Sequence, residues 1–113
     1  SPTAASLRWA HGITVWNGNL VVADAGNNRI MIWEGIPTVT NAPCIAVLGQ
    51  ENFQEVELNR GIYSPTAASL NMPYGVTATN DWLLVADTAN SRLLGWRSRS
   101  DLRSLHGAVA DAR

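Results

Sequence analysis

Asp24, Asn27 and Arg29 form a tight polar set, and Asp87, Asn90 and Arg92 stand at the same spacing further along the chain. An Asp beside an Arg can hold a ligand or serve acid–base chemistry. The same pair can instead lock a turn, the carboxylate accepting the turn's backbone N–H groups and the guanidinium closing a charge-assisted pair. Asn27 suits the left-handed conformation such a turn needs. Duplication favours the turn, because a catalytic pair is rarely copied whole. Five tryptophans are the second chemical feature. Trp33 and Trp96 fall at equivalent positions and are expected to pack sheets together. Trp9, Trp16 and Trp82 are not duplicated. Trp16 and Trp82 flank hairpin turns and are candidates for a partner surface, with blade packing as the other reading. Cys44 sits in the apolar run Cys44-Ile45-Ala46-Val47-Leu48 and reads as a buried, unreactive thiol. No G-x-S-x-G, H-E-x-x-H, C-x-x-C or phosphate loop is present, so no catalytic residue is assigned. No cofactor is expected.

Composition narrows the classes. The chain has 113 residues, 46% hydrophobic and 15% charged, which suits a packed globular protein. All eight basic residues are Arg, and the net charge is −1. Arg97, Arg99 and Arg103 cluster but are offset by Asp101, so nucleic acid is not expected as a partner. No apolar run approaches the ~20 residues of a membrane span. The chain opens on Ser1 without Met, so the lack of a leader carries no statement about compartment.

The elements that must position these residues come from a repeat. Ser1-Pro2-Thr3-Ala4-Ala5-Ser6-Leu7 recurs letter for letter as Ser64-Pro65-Thr66-Ala67-Ala68-Ser69-Leu70, an offset of 63 residues. At that offset residues 1–33 align with 64–96 without a gap, and 17 of the 33 positions are identical. Fixed-period repetition predicts a solenoid, propeller or array. Within a unit, Ile13–Trp16, Leu20–Ala23, Ile30–Trp33 and Ile45–Leu48 read as short strands. Asn17-Gly18 predicts a type I′ hairpin, and Ala25–Asn28 has turn chemistry. The unit is a four-stranded antiparallel meander. In the second copy Gly107–Ala110 is the expected fourth strand. Leu20–Ala23 and Leu83–Ala86 are apolar on both faces, which predicts sheets covered on both sides, as stacked propeller blades are.

Gly12-Ile13-Thr14-Val15 followed by Leu20-Val21-Val22-Ala23-Asp24-Ala25-Gly26-Asn27-Asn28-Arg29-Ile30 resembles the NHL repeat. Gly75-Val76-Thr77 and Leu84–Leu93 resemble it again. Val47-Leu48-Gly49-Gln50 with Phe53 looks like the long-linker bacterial subgroup. Ala10 departs from the pattern where the second copy has Pro73. The resemblance implies an all-β fold of β-propeller blades, two per chain, in a six-bladed ring: residues 1–63 as the first blade with its long linker and 64–113 as the second. Ring closure then needs either the remaining blades of a longer chain or further copies of this one, three copies making a homotrimer. The resemblance also implies an extracellular or periplasmic setting.

That reading places function in what is not repeated. His11, with counterpart Tyr74, precedes the innermost strand and would approach the axis of a ring. One His with no carboxylate beside it makes a poor metal site. The connection from Gly49 to Tyr74 carries Gln50, Glu51, Phe53, Glu55, Glu57, Arg60 and Tyr63, and long loops often carry function. The expected function is a binding or scaffold module recognising a protein, peptide or small ligand, with His11, Trp16, Phe53, Tyr74 and Trp82 as binding residues. The alternative is a metal-dependent lyase- or hydrolase-like enzyme with its site on the axis, to which His11, Asn17 and Asn80 would contribute.

Overall fold

The computed structural model describes residues 2–62 and 64–112; Ser1 of the repeated heptad, Tyr63 of the linker and Arg113 lie outside the described residues. The first sheet runs β1 (Ala10–Trp16), β2 (Asn19–Asp24), β3 (Arg29–Trp33) and β4 (Ala46–Leu48), each strand antiparallel to the next. The second runs β5 (Pro73–Ala78), β6 (Trp82–Asp87) and β7 (Arg92–Arg97). No helix among the described residues is long and apolar enough to cross a membrane.

Local chemistry accounts for the turns. Asn17 and Gly18 both take positive φ, 51° and 82°, so Trp16 pairs with Asn19 across a two-residue loop. Between β2 and β3 a single 3-10 turn, Ala25–Asn27, ends on Asn28 in the left-handed region. Ser91 takes that role after Thr88–Asn90. The left-handed residue is therefore Asn28, not Asn27. Asn27 is free to turn its amide onto Asp24 instead.

Among the described residues the second blade lacks the expected fourth strand. Gly107 has φ +68°, and the following residues leave the sheet: Gly107 N–H donates to Val47 O at 2.8 Å and Ala110 N–H to Ala67 O at 2.8 Å. An isolated bridge, Gly95 with Ala112, marks where a fourth strand would lie. Gly-Ala-Val-Ala offers little side chain to pack on a pleated surface, and its backbone bonds instead to Val47 of the first blade and to Ala67 of the repeated heptad.

The two sheets stack through one shared core. Val21, Ala23, Ile30 and Ile32 of the first meet Leu83, Val85, Leu94 and Trp96 of the second, with Leu70 and Leu105 closing the edges. Strand parity puts Trp16 in this core, in phase with Gly12 and Thr14. The inner strands approach most closely at Gly12, where a Cβ would lie 2.6 Å from Tyr74 O and 3.0 Å from Val76 N. Gly12→Ala is expected to cost about 1–3 kcal/mol by forcing the blades apart. Gly75→Ala, which would meet only Ala86 Cβ at 3.4 Å, should stay within about 0.5 kcal/mol. Urea unfolding of both variants in dilute solution checks the contrast.

Candidate functional site

The duplicated polar set does one job twice. Asp24 pairs with Arg29 across β2 and β3, so the side chains are neighbours, and Arg29 Nε meets Asp24 Oδ2 at 2.9 Å with both side chains fully buried. Asn27 Nδ2 donates to the same oxygen at 2.8 Å, and Arg8 N–H donates to Oδ1 at 2.6 Å. The carboxylate thus holds the chain entering the blade rather than the N–H groups of its own turn. Arg29 Nη2 donates to Thr3 O and Ser6 O, both at 2.9 Å, and Nη1 to Phe53 O at 2.6 Å. Asp87, Asn90 and Arg92 repeat this, with Asn71 N–H on Asp87 and Arg92 Nη2 on Thr66 O and Ser69 O.

This geometry explains the verbatim heptad. In both copies the Thr and Ser hydroxyls accept backbone N–H groups within Thr-Ala-Ala-Ser, folding it so that two carbonyls face the guanidinium. Sequence reasoning missed Thr3, Ser6, Thr66 and Ser69 as partners of the Arg. The identical offset of heptad and Arg was the signal available.

The long linker is ordered against the ends of both blades. Gln50 Nε2 donates to Glu57 O at 2.9 Å and Asn28 O at 3.2 Å, and Asn59 exchanges amide hydrogen bonds with Asn90. Arg60 donates to Gly107 O at 3.0 Å and Gln50 O at 3.3 Å, which ties the linker to the C-terminal segment. His106 completes this clasp. Its Nδ1 accepts Val47 N–H at 3.0 Å, its ring stacks on Phe53 at 4.5 Å, and Gly107 N–H takes the carbonyl of the same Val47. The outer edge of β4 is thereby capped. Phe53 is spent on this contact.

An imidazole that accepts at Nδ1 must be neutral. Burial pushes His106 below its ordinary value near 6.5, and the Arg60 guanidinium adds to the shift. The contribution of the clasp to stability is complete above that ordinary value and is lost as pH falls through the lowered folded value. The unfolding midpoint should therefore drop on acidification from about pH 7 to 5. His106→Asn, which has no proton to gain there, should show a shallower drop in thermal melts. Cys44 is buried, and burial pushes its thiol up to about 11, as an unreactive core residue requires.

The five expected binding residues separate. Trp16 is buried between the blades and offers no surface. Trp82 lies over Gly95 with the Arg97 guanidinium 4.4 Å from its ring. His11 and Tyr74 come together from the two inner strands, ring centroids 4.2 Å apart, both exposed. Asn17 Nδ2 donates to Asn80 O at 2.8 Å, bridging the blades at the opposite end of those strands. Among the described residues no three His, Cys, Asp or Glu side chains converge. The Arg cluster is dispersed, Arg97 on Trp82 and Arg99 on Ser104 O and Asp111.

Residues 7–33 match the family model of the NHL repeat, which here covers β1 to β3 together with the Asp24–Asn27–Arg29 lock. The chain carries an NHL repeat. No curated protein matches the chain. The NHL repeat points to a β-propeller-type protein-interaction module, and two stacked antiparallel sheets fit propeller blades.

Proposed function

We propose that this NHL-repeat chain supplies blades to a six-bladed propeller that acts as a recognition or scaffold module, with the axial end of the inner strands and the adjoining loops as its binding surface. The His11–Tyr74 pair carries the reading. These rings are exposed, lie tilted against each other at 32° and are unused by the lock or the clasp. Rigid aromatic groups of this kind make effective anchors for protein or peptide ligands because little conformational entropy is lost on contact. The linker that leads into Tyr74's strand adds exposed Glu51, Gln54 and Glu55, acceptors for a polar rim.

A random-peptide display library panned against the 113-residue chain tests this. The expected result is enrichment of related sequences whose binding drops at least about 10-fold in His11→Ala or Tyr74→Ala. The reading fails if nothing enriches, or if the enriched peptides bind the double variant as well as the original chain.

A further inference from the structure

The two outer faces of this blade pair are complementary to each other, and we infer that a second copy of the chain docks on them head to tail. The inference rests on the propeller reading and names the neighbour that completes it.

Several equivalent positions differ in burial according to whether a neighbouring blade is present. Val21 and Ile30 point from the first blade into the shared core and are 0% exposed. Their counterparts 63 residues on, Leu84 and Leu93, point out of the second blade and are 40% and 69% exposed. The reverse holds on the other side. Leu70 and Leu83 of the second blade are 0% exposed against the first, whereas the counterpart Leu7 is 52% exposed and Leu20 only partly covered. Ile13 and Val15 extend this bare strip, while their counterparts Val76 and Ala78 pack on the core. Shallow apolar grooves of about 280 Å³ beside Leu84 and Leu93 and about 320 Å³ beside Leu7 and Ile13 mark the two faces. Val22, Met31 and Trp33 are already covered by a second cluster with Cys44 and Val47, so the bare chemistry that matches the join is Leu7, Ile13, Val15 and part of Leu20 at one end and Leu84 and Leu93 at the other.

Three further residues fit the same join. Gly12 is required because the next inner strand would collide with a Cβ, but Gly75 meets no such strand in this chain and has no positive φ to demand glycine. A following inner strand would supply the reason. Asn17 bridges to Asn80 O, and Asn80 keeps the same amide, exposed, where the next copy's hairpin would present a carbonyl. Tyr74, tilted against His11 on one side, would meet the next copy's His11 on the other. Both halves of each interaction exist in this one chain, so a second copy satisfies them without a new surface. The join is heterologous and propagates until it closes. Three copies of two blades make six, within the 4–8 typical of propellers.

Leu93→Asp and Ile13→Asp each place a charge on one face at a position already exposed in the single chain, so folding is unaffected. Sedimentation of the unaltered protein should give three times the 12.2 kDa chain mass. Each variant alone should lose association by at least about 100-fold, because a charge would be buried unpaired. A mixture of the two variants should recover a two-chain species, since each retains the face the other lacks. A 12.2 kDa mass for the unaltered protein up to about 100 µM overturns the proposal. So does association of either variant alone at its original strength, which would mean like faces pair. Panning the same samples separates this from the functional reading: single chains that still capture peptides sink only the assembly, and rings that capture none sink only the recognition.

Discussion

Arg29→Met is expected to destabilise this protein by about 3–5 kcal/mol. Arg29 and Asp24 are both fully buried at 2.9 Å. Removing the guanidinium leaves a carboxylate without its charge partner. It also strips donors from Ser6 O and Phe53 O and one of the donors on Thr3 O, and each group left unsatisfied adds its own desolvation cost. The loss is comparable to the whole stability of many small domains. Arg92→Met is the internal control. It removes the equivalent contacts to Asp87, Thr66 O and Ser69 O, with no counterpart of the Phe53 bond, and the Arg92 side chain is 18% exposed, so water can take over part of its role. Its loss should be clearly smaller, and urea titrations of both variants report the ranking.

Leu70→Ala is the second large effect, at about 2–5 kcal/mol. Leu70 is wholly buried, and its Cδ1 would lie 2.5 Å from a Cβ on Gly49, so it fills the space that glycine leaves open. Truncation opens a cavity between rigid sheets that cannot collapse into it. Leu7→Ala, at the equivalent position, should cost under about 0.5 kcal/mol in dilute solution because that side chain is already solvated. Thermal melts of the pair measure how much of the repeat's apolar chemistry depends on a neighbouring blade.

The strands were legible because β-branched runs, Asn-Gly and a gapless 63-residue offset all point the same way. The Asp–Arg lock was legible too, since duplication marks architecture. Other features were hidden for physical reasons. Asn27 and Asn28 are adjacent and chemically alike, so only backbone geometry tells the left-handed residue from the hydrogen-bond donor; Ser91 in the second copy shows that position, not amide chemistry, decides. Trp16 looked like surface because it is not repeated. Its parity with Gly12 and Thr14 was the available clue that it faces the core. The clasp of His106 on Val47 joins residues 59 apart and leaves no local pattern. The missing fourth strand has the same origin, because Gly107 bonds to the other blade rather than to its own.

The division between repeated architecture and unrepeated recognition is tested most directly by one paired measurement on a peptide captured by the chain. Its affinity and the unfolding midpoint are read together for Tyr74→Ala and Arg92→Met. The expected result is that Tyr74→Ala weakens binding at least about 10-fold with the midpoint nearly unchanged, while Arg92→Met lowers the midpoint and leaves the affinity of the folded protein alone. The opposite pattern, affinity lost with Arg92 and kept without Tyr74, would place recognition in the duplicated lock and contradict the account.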